Sequence, residues 1–286
     1  MVPSFARMRR LRRALILVGI LTIVAYIGAM IWLVARETTI LFEAGRPLGD
    51  LRPAAPFEEV SIEQAQGPRQ RLWVMRAAAD PAARPWVLYL HGNAANVASR
   101  LNIFHCEQLR ALGLNVIAAE YRGFGGMDGV PTEAGLNRDA RSGYDYLRQQ
   151  LHADPRRIIV YGWSLGSAVA VDLASHVDEA ALVLEGAPAS LVAIGARRYP
   201  YFPIRMLIRN PFESIRKIDR IGSPVLFLHS PEDAVIPFDE GRRLFDAATP
   251  PKQFVEVSGG HVYASEKDPT FFPAIRSFLQ AQRLLP

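Results

Sequence analysis

One five-residue stretch constrains this 286-residue chain more than any other: Gly162-Trp163-Ser164-Leu165-Gly166. The run Arg157-Ile158-Ile159-Val160-Tyr161 leads straight into it as a strand, and Ser167-Ala168-Val169-Ala170-Val171 continues as a helix. Strand, turn and helix are thus joined without a loop. The two glycines permit a turn tight enough to project the serine hydroxyl, because a Cβ at either place would collide across the elbow. A helix starting there also offers free N–H groups to an anionic oxygen. The plainer reading makes Ser164 an N-cap in a tight turn. The flanking strand and helix favour a nucleophile.

The same alternation runs through most of the chain. Strands are predicted at Leu72–Met75, Trp86–Leu90, Asn115–Ala119, Arg157–Tyr161, Ala181–Glu185, Val225–His229 and Gln253–Val257. Several are almost wholly apolar, as strands covered on both faces must be. Amphipathic stretches separate them: Val97–Leu112, Thr132–Leu151 (with Thr132 as N-cap), Ser164–His176, Glu240–Ala248 and Thr270–Leu284. This is an α/β pattern with a mostly parallel sheet, whose reactive side chains gather at the strands' carboxyl ends.

The charge sits elsewhere. The net +5 comes from Arg7, Arg9, Arg10, Arg12 and Arg13 within residues 1–13; the remaining chain balances at 28 basic against 28 acidic. No nucleic-acid-binding motif accompanies it. Ala14 to Ala35 follows without a charge, and its 22 residues make a helix about 33 Å long against a hydrocarbon core of about 30 Å. A cleaved signal peptide has a shorter apolar region ending in a small-x-small site, which Ile31-Trp32-Leu33-Val34-Ala35-Arg36 does not offer. The expectation is a cytoplasmic basic tail (1–13), a transmembrane signal-anchor helix (14–35), a Gly/Pro connector (36–56) and a catalytic domain (57–286) on the non-cytoplasmic side of the membrane.

A nucleophile needs an oxyanion site and a base. Leu88-Tyr89-Leu90-His91-Gly92-Asn93 is a strand ending in a turn, so the two N–H donors are expected from Leu165 and from Asn93, with Ala94 as the alternative to Asn93. His91 is expected to brace that loop. His229 and His261 both follow strands after Ser164, and His261 stands behind the flexible Ser258-Gly259-Gly260.

Taken together, His91-Gly92-Asn93-Ala94-Ala95-Asn96, Tyr121-Arg122-Gly123-Phe124-Gly125, Gly129 to Leu136, Gly162 to Gly166 and Asp233 to Pro237 resemble the membrane-anchored, short-lid branch of α/β-hydrolase-domain proteins, from Phe57 to the C-terminus. That branch includes acyl-protein thioesterases and proteins grouped with lysophospholipases and serine aminopeptidases. Val262-Tyr263 departs from the His-Asn that members often carry after the histidine. The resemblance implies the α/β-hydrolase fold, a lid, and the chain order serine, acid, histidine. In that order Ser164 is nucleophile, Asp233 acid and His261 base, His261 being the only histidine after Asp233. Glu185 and Glu232 are the competing acids. His229 is read as a packed strand-end side chain and Cys106, the single cysteine, as a packed thiol, which leaves no disulfide and no cysteine zinc site.

Residues 187–220 form the expected lid. Seven basic residues against Glu213 and Asp219 alternate there with Tyr199, Tyr201, Phe202, Met206 and Phe212. A basic, aromatic lid on a tethered enzyme fits an acyl-chain ester or thioester, including a lipid. A serine aminopeptidase-like activity would instead need an acidic anchor for a substrate ammonium, and a non-catalytic scaffold would not need the ordered serine, acid and histidine. Neither a cofactor nor a metal is expected.

Overall fold

The computed structural model describes residues 5–64, 67–78 and 80–286. Helix α1 (Phe5–Phe42) leads, followed by β1 (Phe57–Ile62), β2 (Gln70–Met75) and β3 (Trp86–Leu90). Helix α2 (Arg100–Ala111), β4 (Asn115–Ala119), α3 (Glu133–Gln149), β5 (Ile158–Trp163), α4 (Leu165–Ala174) and β6 (Ala181–Glu185) form the centre. Then come α5 (Leu191–Arg198) and α6 (Ile204–Leu207) of the lid, β7 (Val225–His229), α7 (Phe238–Ala247), β8 (Lys252–Glu256), α8 (Gly260–Lys267) and α9 (Phe271–Ala281).

The eight strands form one sheet in the order β1-β2-β4-β3-β5-β6-β7-β8. The β1–β2 and β2–β4 pairs are antiparallel and the rest parallel. Side chains alternate between two apolar layers. Trp86, Leu88 and Leu90 pack with α3 and α4, while Val87 and Tyr89 pack with α2 and α9. Both faces of each central strand are covered, which is why these strands read as unbroken apolar runs. After β3 the chain crosses to β4 on one side, and β5 returns on the other. The loops at that reversal form a crevice at the strands' carboxyl ends.

Differences from the sequence reading have local causes. Strand β1 alternates exposed Glu58, Glu59 and Ser61 with half-buried Phe57, Val60 and Ile62, so it carries no apolar run. Within the expected stretch Thr132–Leu151, α3 covers seventeen residues and is capped as expected by Thr132, whose hydroxyl accepts from Gly135 N at 3.0 Å. Helix α1 runs past residue 35, so the expected connector opens as helix and turns irregular only after Phe42. Arg36 and Glu37 end an apolar run, but neither breaks a helix. The first four residues of the basic tail lie outside the described residues.

Candidate active site

Strand β5 and helix α4 meet at Ser164, whose backbone takes φ +55° and ψ −118°, outside the regions open to most side-chain-bearing residues. The glycines on either side explain how that turn closes. A Cβ on Gly162 would overlap the Gly166 carbonyl, and one on Gly166 would overlap the Leu90 carbonyl. The elbow is then fastened: Ser164 N donates to Glu185 O at 2.8 Å, and the Ser167 hydroxyl lies 2.7 Å from Gly162 O and 2.9 Å from Glu185 O. Ser167 was not singled out by sequence, where it reads as an ordinary first-turn helix residue.

His261 sits in the first turn of α8, with Nε2 at 2.7 Å from Ser164 Oγ and Nδ1 at 2.7 Å from Asp233 Oδ2. A carboxylate accepts only, so Nδ1 carries the proton and Nε2 is left to accept from the serine hydroxyl. The remaining Asp233 oxygen, Oδ1, accepts from Val235 N at 2.8 Å and Ile236 N at 2.7 Å. Burial alone would raise the Asp233 carboxyl. The histidine donors on either side and the Ile236 N–H outweigh it and hold the group well below its ordinary value.

The oxyanion candidates flank the serine. Leu165 opens α4, so its N–H is among the first-turn donors that a helix leaves unpaired. The loop after β3 passes beside the nucleophile, for a Cβ on Gly92 would stand 3.3 Å from Ser164 Cβ. Asn93 comes next. Its side-chain Nδ2 donates to the Leu41 carbonyl at 2.7 Å, tying this loop to the end of α1. His91 braces the turn, with Nδ1 2.8 Å from Gly92 O and Nε2 2.8 Å from Glu120 Oε1. Ala94, the alternative donor, adopts φ +56°.

The rival acids lie elsewhere. Glu185 is buried toward α2, where Oε2 is 3.0 Å from His105 Nε2 and accepts from the Tyr161 hydroxyl at 2.6 Å. Burial opposes charge on His105, yet the Glu185 carboxylate prevails and raises that imidazole's pKa. Glu232 is exposed. His229 does more than fill space: its Nε2 is 3.0 Å from Ile236 O and 3.3 Å from Asp233 Oδ2. Cys106 is buried, which pushes its thiol pKa up. Among the described residues, no three His, Cys, Asp or Glu side chains group as a metal site requires.

No family model matches the chain. An uncharacterized protein of Mycobacterium tuberculosis is 36% identical over 277 residues, covering 96% of this chain and 97% of that protein. The human alpha/beta hydrolase domain-containing protein 17B is 31% identical, over 67% of this chain and 65% of its own. The zebrafish (Danio rerio) lysophosphatidylserine lipase ABHD12 is 29% identical, over 80% of this chain and 65% of its own. Among solved structures, the Pyrococcus furiosus esterase Pf2001 superposes with a TM-score of 0.69 at 18% identity, covering 85% of this chain and 98% of that one. Sheet order, elbow and relatives agree: the chain belongs to the α/β-hydrolase superfamily.

Proposed function

We propose that the protein is a membrane-anchored serine hydrolase that cleaves a carboxylic ester or thioester of an acyl-chain substrate through an acyl-enzyme on Ser164. The observation that carries this reading is the unbroken relay of 2.7 Å contacts from Ser164 Oγ through His261 to Asp233 Oδ2. A serine hydroxyl is a weak nucleophile until a base takes its proton. Here the Ser164 oxygen attacks the carbonyl carbon while its proton passes to His261 Nε2. The N–H groups of Leu165 and Asn93 receive the oxyanion. Collapse expels the alcohol or thiol, which takes the proton from Nε2. Water then repeats the sequence on the acyl-enzyme and releases the carboxylic acid. Asp233 holds the imidazole in the productive tautomer and stabilises the imidazolium.

The anchoring rests on α1, whose stretch Met8–Phe42 is long and apolar enough to cross a membrane. Arginines at 9, 10, 12 and 13 precede the apolar run, so the basic tail (1–13) stays cytoplasmic and the hydrolase domain (57–286), with its lid at 187–220, faces the other side. The lipase name of the zebrafish relative supports an ester of a lipid as substrate. Glu37, on the helix beside the lid, is held by Arg209 at 2.7 Å and is not offered to a substrate ammonium. Purified full-length protein in mild detergent, assayed on matched acyl esters, acyl thioesters and aminoacyl amides, should turn over the first two. Turnover confined to the amides would point to a peptidase instead.

A further inference from the structure

Helix α1 first runs free and then lies along the lid. Every side chain from Ala14 to Gly28 is exposed, whereas from Ala29 and Met30 to Leu41 and Phe42 a stripe at helical spacing is half-buried or buried. The lid grips this second part and reaches back to Tyr26 in the first. The Tyr26 ring stacks on Phe202 with centroids 5.3 Å apart, and its hydroxyl donates to the Tyr201 carbonyl at 2.7 Å. Further along, Glu37 Oε2 accepts from Arg209 Nε at 2.7 Å, and Glu37 Oε1 accepts from the backbone N–H groups of Arg209 and Asn210 at 2.8 and 2.9 Å.

That division fixes how deep the lid sits, given the anchor reading above. A hydrocarbon core about 30 Å thick takes about 20 helical residues. The stretch before the first lid contact, Ala14–Ala25, holds 12, about 18 Å. The missing length, about 12 Å, falls on residues from Tyr26 onward, where the lid already packs. The lid tip therefore reaches into the outer leaflet. Its outward side chains suit that place, with Tyr201 85% and Met206 84% exposed. Exposed Arg198 and Arg205 flank them and can extend to headgroup level.

Between α1 and the lid lies a cavity of about 440 Å³, within the usual range for small-molecule sites. Leu33, Leu41, Ile194, Ile204, Leu207 and Ile208 supply most of its apolar wall. Leu41 is also the residue whose carbonyl holds Asn93, so this wall adjoins the loop beside Ser164. We propose that the cavity is the acyl-chain site, with the anchor helix as one wall, and that a single-chain lipid ester enters it sideways from the leaflet. The proposal rests on the anchored ester-hydrolase reading and deepens it.

The test uses full-length protein in phosphatidylcholine nanodiscs. A lysophosphatidylcholine with a diazirine at its chain terminus, photolysed with the Ser164→Ala protein, should crosslink to peptides spanning Leu33–Glu43 and Leu191–Ile208. Filling the cavity in that background with Ile194→Trp, or from the helix side with Leu33→Trp, should lower the crosslink at least fivefold. With Ser164 intact, the same two substitutions should lower the long-chain to short-chain ratio of kcat/KM at least tenfold. Crosslinks outside the two peptides, or an unchanged ratio in both variants, would overturn the proposal. Correct crosslinks without hydrolysis of any ester would uphold the cavity and count against the hydrolase reading, so the two fail separately.

Discussion

The Nε2 atom of His229 lies 3.3 Å from Asp233 Oδ2, the same oxygen that stands 2.7 Å from His261 Nδ1. Two imidazoles therefore share one carboxylate oxygen, while two backbone N–H groups occupy the other. Burial would raise the Asp233 pKa, but these donors lower it overall. A depressed carboxyl contributes stability that is present above its unfolded pKa and is lost only as pH falls through the folded value. Asp233 is then already ionised where His261 works. The acid limb of the kcat/KM profile should follow one ionisation. A limb falling with the square of proton concentration between about pH 4 and 6 would contradict this.

Removing the charge from the acid should be far costlier than removing it from Glu185. Asp233→Asn should lower kcat by roughly 10³- to 10⁴-fold, because the amide reverses the imidazole tautomer. Glu185→Gln changes a carboxylate held by His105 and Tyr161 on the α2 side, and should cost less than tenfold. Steady-state kinetics of both variants on one ester checks the order; the reverse order would move the acid to Glu185.

How much of this was legible follows from what each feature depends on. The elbow could be read because its requirements are local: two glycines, a strand before and a helix after. The choice between Asp233 and Glu185 depends on which face a strand end presents. Along β6, Ala181 and Val183 pack toward α2, and the period of two sends Glu185 the same way. The His229–Asp233 contact depends on how the turn after β7 folds, which residue identities alone do not specify. Helix α8, whose first turn carries His261, has no clear apolar stripe by which its sequence would announce it. Helix α1 continues beyond the apolar run to Phe42, because charge marks where a membrane stops, not where a helix does.

Away from the site, Glu179 offers a stability test. Burial, aided by Asp178 and opposed by the Ser223 hydrogen bond, pushes its pKa up from 4.5 to about 7. An acid raised in the folded state keeps a proton that the unfolded chain releases, so stability falls as pH climbs from about 4.5 to 7 and the cost stays above it. Glu179→Gln should therefore stabilise the protein by roughly 1–3 kcal/mol at pH 8 and by almost nothing at pH 4. Thermal melts at the two pH values decide it; equal shifts at both would refute the linkage.

Topology is open to an equally simple check. The full chain should remain in the membrane pellet after alkaline carbonate extraction. In sealed vesicles with the non-cytoplasmic face outward, added protease should reach Arg156, exposed on the turn before β5 and away from the lid. Protection in those vesicles, with digestion in inverted ones, would reverse the assigned orientation.

The central claim is that Ser164 is the nucleophile, and an active-site-directed fluorophosphonate tests it most directly. The native chain should take up one equivalent of probe, mapped by mass spectrometry to the peptide containing Ser164, with esterase activity lost in parallel. Ser164→Ala should take up none. Labelling that persists in Ser164→Ala, or that maps to another residue of the native chain, would contradict the account.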